Sequence, residues 1–342
     1  MGFVFDTDGF DKVMEGLREN YRIYAPVRKT GEGRFTDTDV IRYDFVDTLD
    51  QIELDERSDY SFKEILMPLS ETMFFFTEDE IKEAGFDDRP VIVLARSCDI
   101  HGLRRLDQIY TGNGPNDDWF YERRKDKVKF ALIGCGEACA NSFCVDMGSN
   151  RTDDYIFSID LIDGKIYSDV KDEELVPAFE KAAESQGEVA PRYVTEAEFR
   201  VERPEEVPAE IFTDGMWDEY TNRCINCGRC NFVCPTCTCF TIQDLFYTDN
   251  GKVGERRRVN ASCMVDGYTD VAGGLQFRKK NGERMRFKVL HKVYDFRKRF
   301  GYDMCVGCGR CDTVCPEYIS FSNCVNKLNA RVKELEADGD ER

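Results

Sequence analysis

Cys224–Pro235 reads CINCGRCNFVCP, and Cys305–Pro316 reads CVGCGRCDTVCP. The two stretches lie 81 positions apart and agree at cysteine, glycine, arginine, valine and proline positions. Agreement at those residue types, with variation between them, points to a duplicated binding site rather than duplicated packing. Each copy is C-x2-C-x2-C-x3-C-P, and the proline stops the loop continuing as helix on that side. Three closely spaced thiols wrap one face of an iron–sulfur cubane, and in two-cluster proteins the fourth cysteine of each run ligates the other cluster. The expected ligand sets are Cys224, Cys227, Cys230 with Cys315, and Cys305, Cys308, Cys311 with Cys234. Gly228 and Gly309 let backbone N–H groups turn toward an anionic cluster. The zinc alternative fits less well, because a zinc ribbon pairs two C-x2-C knuckles and leaves the third cysteine and the C-P of each copy without a use. The grids predict two [4Fe–4S] clusters.

The rest of the chain narrows the setting. Its 342 residues make room for two or three domains, and 42% hydrophobic with 33% charged residues is a globular composition. No apolar run approaches the ~20 residues that span a bilayer, so no membrane association is expected. The start, MGFVFDTDGF, lacks the basic flank and apolar core of a signal peptide, and Asp6 stands where a myristoylation signal needs Ser or Thr. A cytoplasmic location is expected, where the 16 cysteines stay reduced and serve metal or redox chemistry. The only two histidines, His101 and His291, exclude sites built mainly on imidazole and read as packed or surface residues. A net charge of −19 argues against nucleic acid as a partner. Between Lys252 and Arg299, however, fourteen Lys or Arg face five Asp or Glu. Positive charge there would favour the reduced cluster or dock an acidic redox partner; the plain alternative is a solvated helix face.

The organisation expected is an α/β N-terminal domain over residues 1–170, an acidic helix and linker over 171–215, and a mainly α-helical, ferredoxin-like dicluster domain over 216–342 with a basic insertion. Val91–Ala95 and Val128–Ile133 read as buried strands, and the spacing of Ile100, Leu103, Leu106 and Ile109 gives a helix between them, hence a parallel pair with a crossover. VIRYDFV and ETMFFFT are weaker strand candidates, and Asp163-Gly164 marks a hairpin turn. DEELVPAFEKAAES reads as a helix despite its proline. TIQDLFY and RFKVLHKVYDFRKRF read as helices, and Phe321, Cys324, Val325, Leu328 and Val332 form the apolar stripe of a last one.

Cys98 and Cys135 follow the ends of the two expected parallel strands, and Cys139 and Cys144 follow in one short loop. These four thiols at one sheet edge form a candidate third cluster site, against which stands the reading of small buried hydrophobes. Cys237, Cys239 and Cys263 read as packing or as a shell around a cluster, and Cys324 as core. No G-x-G-x-x-G follows a strand and no Walker A lysine appears, so flavin, nicotinamide and substrate chemistry are expected on other subunits.

The stretches RFTDTDVI, ARSCDI, CVDMGSNRTD, CINCGRCNFVCPTCTCF, ASCMVDGYTDVAGG and LHKVYD resemble the iron–sulfur electron-transfer subunit of anaerobic sulfite reductases. A wider family with the same cysteine layout includes the β subunits of NADP-linked sulfhydrogenases. The resemblance implies a relay between a flavin subunit that oxidises NADH and a sirohaem subunit that reduces sulfite to sulfide. The alternative is the corresponding β subunit of a sulfhydrogenase or nickel–iron hydrogenase. A third reading, a scaffold whose clusters only hold the fold, remains beside these two.

Overall fold

The computed structural model describes residues 1–34, 37–197 and 199–340, the last two through their backbone only. Phe35 and Thr36, within the RFTDTDVI stretch, lie outside the described residues. The chain divides into two compact units: one takes in 1–138, 150–195 and 242–259, the other 139–149, 196–241 and 260–342.

The first unit is built on the strand–helix–strand that the sequence predicts. Its strands are β1 (Gly2–Phe5), β2 (Arg22–Lys29), β3 (Val40–Val46), β4 (Ser70–Phe76), β5 (Ile81–Glu83), β6 (Val91–Arg96), β7 (Val128–Ile133), β8 (Ser158–Ile162), β9 (Lys165–Asp169) and β10 (Ser185–Gly187). Eight of them form one sheet in the order β10-β1-β9-β8-β7-β6-β2-β3. The centre, β2, β6, β7 and β8, is parallel, and antiparallel strands flank it. Every residue of β6 is buried, as a parallel strand covered on both faces requires. Helix α1 (Thr7–Leu17) starts at Asp6, whose carboxylate accepts the Gly9 N–H at 2.7 Å. Helix α2 (Ser97–Tyr110) makes the crossover from β6 to β7, and α3 (Trp119–Lys125) precedes β7. The DEELVPAFEKAAES helix is short: α4 spans Val176–Ala182, with Pro177 in its first turn, where the missing N–H is harmless. Its Phe179 packs against Phe3, Phe5, Phe10 and Phe157 at the centre of the core.

TIQDLFY is a strand, not a helix. It forms β11 (Phe240–Phe246), which turns through Asn250-Gly251 into β12 (Gly254–Asn260). An Asn-Gly pair between residues of β-branched and aromatic type is the hairpin signal that outweighs the helical spacing. The hairpin completes a second sheet of order β11-β12-β4-β5.

The second unit carries α5 (Asp218–Arg223), α6 (Arg229–Phe232), α7 (Asn281–Leu290), a π turn at His291–Asp295, α8 (Phe296–Phe300), α9 (Arg310–Val314) and α10 (Phe321–Asp340). A small ladder joins β13 (Asp270–Val271) to β14 (Leu275–Gln276). The expectation of a mainly helical dicluster domain is not clearly borne out, since the described residues of 216–342 also hold four strands and long irregular stretches. The stripe Phe321, Cys324, Val325, Leu328 and Val332 is buried, and it packs with Trp217, Met285, Val289 and Val293 in this unit's core. Among the described residues no helix is long and apolar enough to cross a membrane.

The hairpin is tied into the first unit by charge. Glu71 on β4, 4% exposed, takes Arg123 at 3.0 Å, Arg124 at 2.9 Å and Arg258 of β12 at 3.1 Å. Burial raises the Glu71 carboxyl pKa, but the three guanidinium groups outweigh it and hold the value below the usual range. Its contribution is therefore complete above the ordinary carboxylate range and lost as pH falls through the folded-state value. Glu71→Gln should destabilise the chain by about 3 kcal/mol, the low end for breaking a buried ion pair. The loss is at the low end because Arg123 keeps Glu83 and Arg258 keeps Asp118. Urea unfolding at neutral pH measures it, and a loss within ~0.5 kcal/mol, as at an ordinary surface site, would contradict it.

Candidate metal centres

The two cysteine grids share their backbone turns. At the third position the backbone is left-handed at Asn226 (φ 58°) and Gly307 (φ 62°), and at the fifth at Gly228 (φ 71°) and Gly309 (φ 73°). This twist turns N–H groups inward, as an anion-binding nest does. The Asn226 N–H donates to the Cys224 sulfur, and the Gly307 N–H to the Cys305 sulfur at 3.4 Å. Helices α6 and α9 begin directly after the two glycines and pack against each other.

The loop 139–149 covers the second grid. The Phe143 N–H donates to the Gly307 carbonyl at 2.8 Å, and the Ser149 hydroxyl to the Val306 carbonyl at 2.5 Å. Only glycine fits here: a Cβ on Gly309 would stand 2.3 Å from the Asn141 carbonyl oxygen, and one on Gly307 2.5 Å from that of Phe143.

Cys224, Cys227 and Cys230 line one cavity, and Cys315, from the other grid, lines it with them, as does Cys311. Around the second grid, the charges of Cys234 and Cys308 bear on both Cys305 and Cys311. Cys315 thus lines the cavity of the other run's first three cysteines, and the charge of Cys234 bears on Cys305 and Cys311 of the other run. Burial pushes the thiols of Cys224, Cys305 and Cys311 up, Cys305 to about 12, so a metal that binds them must displace their protons. Cys227 is exposed and Cys308 buried; the other six are half-buried.

Helix α7 with its π turn links the grids. At its start, the Asn281 amide donates to the Cys224 carbonyl at 2.5 Å. At its far end the Lys292 carbonyl, released by the π turn, accepts N–H groups from Met304 at 3.0 Å and Cys305 at 3.1 Å. Such turns recur at functional sites. Between these anchors stand Lys288 and Lys292, 5% and 3% exposed. Among the described residues neither pairs with a carboxylate. The negative groups bearing on Lys288 are the thiols of Cys230, Cys311 and Cys237, and those on Lys292 are Cys234, Cys237 and Cys305. Burial lowers both ammonium pKa values, and the thiols reverse the sign and raise them. The Lys292 ammonium also reaches Thr236 at 2.5 Å and the Cys234 sulfur at 3.5 Å. Two buried cations set against the thiols of Cys230, Cys234, Cys237, Cys305 and Cys311 fit an anionic, thiolate-bound occupant.

Several arginines of the basic stretch considered from sequence as a docking face are held in ion pairs. Arg256 pairs with Asp244, Arg257 with Glu255, Arg258 with Glu71 and Asp118, Arg284 with Asp266 and Arg297 with Asp303. His291 is stacked on Phe287, and burial lowers its pKa to about 4, so it is neutral at physiological pH. His101 is neutral too, its pKa lowered first by burial, and its ring meets the Arg151 carbonyl at 2.7 Å. Cys98 and Cys135 each follow by two residues the paired Arg96 and Ile133 in the first unit, whereas Cys139 and Cys144 belong to the second. The four thiols are not gathered within one compact unit.

A duplicated, cross-facing thiol grid defines a dicluster iron–sulfur protein, and residues 223–319 match the 4Fe-4S dicluster domain family. Over 339 residues the chain is 32% identical to the sulfhydrogenase 2 subunit beta of Pyrococcus furiosus, covering 94% of this chain and 96% of that one. The chain belongs to this family, as an iron–sulfur electron-transfer subunit. That result supports the wider family named from the sequence; it does not support sulfite reductase in particular. No solved structure matches.

Gly309→Ala should destabilise the chain by more than the ~1–2 kcal/mol of a left-handed alanine, because backbone blocks the new methyl group. Gly228→Ala meets only side chains, those of Val265 and Ser262, and should cost less. Equal losses in urea unfolding would contradict the role assigned to the 139–149 loop.

Proposed function

We propose that the chain holds two [4Fe–4S] clusters, one on Cys224, Cys227, Cys230 and Cys315, the other on Cys305, Cys308, Cys311 and Cys234. The observation that carries this is the placement of Cys315 in the cavity of the first three cysteines, beside buried Lys288. When bound, such clusters exchange electrons one at a time. The chain's own groups do the rest. The left-handed grid turns aim N–H groups at cysteine sulfurs, and Lys288 and Lys292 offset negative charge from within. Met264, Met285 and Phe321 line the first cavity and keep water from its inner wall. Cys227 and its neighbour Ile225 are exposed, which makes the first grid the side where electrons enter or leave.

We place this relay in a hetero-oligomeric oxidoreductase of the sulfhydrogenase kind, whose other members are a flavin subunit that handles the nicotinamide and a nickel–iron hydrogenase subunit. The 32% identity along nearly the whole chain supports this reading. The second reading, sulfite reduction with a sirohaem partner, is favoured by the ASCMVDGYTDVAGG stretch. Affinity capture of the chain from its native cells separates them. Nickel in the captured complex is the expected result, and sirohaem absorption without nickel would transfer the assignment to sulfite reductase.

The ligand sets are tested on the chain itself. Reconstituted without oxygen, it should hold about eight iron atoms. Cys234→Ser should alter the spectrum of the cluster on Cys305, Cys308 and Cys311, and Cys315→Ser that of the other. Each variant altering its own run's cluster instead would overturn the exchange.

A further inference from the structure

Three thiols outside the grids meet in a second cavity of the same unit: Cys237, Cys239 and Cys263, with Tyr268 and Arg278. Cys237 leans on Cys234 and belongs with the second grid. Cys239 and Cys263 belong to each other. The Ala261 N–H donates to the Cys239 carbonyl at 2.9 Å, which brings the two segments side by side. The two side chains bear on each other, and the Cys263 sulfur accepts the Asn231 amide at 3.1 Å. The neighbouring Cys263 thiol lowers the Cys239 pKa to about 6 against burial, with the Tyr268 hydroxyl and Lys292 charge assisting, and Cys263 is pushed up in turn. Two thiols that face one cavity from adjoining segments are the arrangement from which a disulfide forms. Packing alone asks for neither the contact nor the cavity, and the facing charges, Arg278 and Lys292, repel a metal cation.

We propose that Cys239 and Cys263 form a redox-active dithiol–disulfide couple, a two-electron centre within an electron-transfer subunit. In the oxidising direction the Cys239 thiolate and the Cys263 thiol lose two electrons and one proton, and one S–S bond forms. The electrons pass in turn to two equivalents of a one-electron acceptor, the class of reagent that an electron-transfer subunit serves. The reverse step takes up two electrons and one proton and restores thiolate and thiol. The couple lets the chain hold an electron pair where one-electron centres alone would pass electrons singly. That use rests on the electron-transfer reading; the thiol chemistry does not.

The test uses the whole iron-loaded chain, poised without oxygen by viologen and quinone dyes across the potentials of redox-active protein dithiols. Acid quenching, alkylation and mass spectrometry then report each cysteine. Oxidising poise should yield a linked Cys239–Cys263 peptide pair, and reducing poise both residues alkylated, with a two-electron transition between. Cys239→Ser and Cys263→Ser should each abolish the linked pair and leave the iron content unchanged. Both thiols alkylating fully at every potential would overturn the proposal. Loss of iron in either serine variant would also overturn it, by making that residue a ligand. A wild-type chain without iron that still gives the linked pair would sustain this proposal while sinking the cluster assignment.

Discussion

Two ammonium groups buried, among the described residues, without a carboxylate partner set the terms for the second unit. Taking a charge out of water costs several kcal/mol unless a partner of opposite sign is brought with it. For Lys288 and Lys292 the partners at hand are cysteine sulfurs from both grids. The helix that bears them is fastened to Cys224 at one end and to Cys305 at the other. Helix, lysines and grids are therefore one construction, in which the fold and the charge of the occupant depend on each other. The first unit solves the opposite problem, a buried carboxylate, with three guanidinium groups around Glu71.

The grids obey a backbone constraint as well as a chemical one. Left-handed turns at the third and fifth positions aim N–H groups at sulfur, and three of the four positions are glycine. Asn226, the exception, is of a type that tolerates this conformation. Around the second grid the loop 139–149 lies so close that a methyl group has no room, which gives Gly307 and Gly309 a second reason to be glycine.

Much of this was legible in the chain itself. The thiol spacing announced the class of site, and the apolar run at Val91–Ala95 announced a buried parallel strand. The β11–β12 hairpin was misread because TIQDLFY has helical spacing, although Asn250-Gly251 stood beside it. The lysines were missed because charge was counted over a whole stretch. Lys288 and Lys292 fall four apart, next to Val289 and Val293, so both share the buried side of the helix. The neutralising of Arg258 by Glu71 pairs residues 187 positions apart, which no local pattern records. The cover given by the 139–149 loop was invisible for the same reason, and its cysteines drew attention to metal chemistry instead.

The central claim is that Lys288 and Lys292 stand opposite an anionic cluster pair. Its most direct test is potentiometric titration, followed by electron paramagnetic resonance, of Lys288→Met and Lys292→Met beside the unaltered chain. Methionine keeps most of the volume and removes the charge. With iron content retained, the midpoint potentials should become more negative, because the more highly charged reduced cluster loses its counter-charge. Potentials that stay where they were, with both clusters present, would contradict the claim and leave the lysines as packing alone.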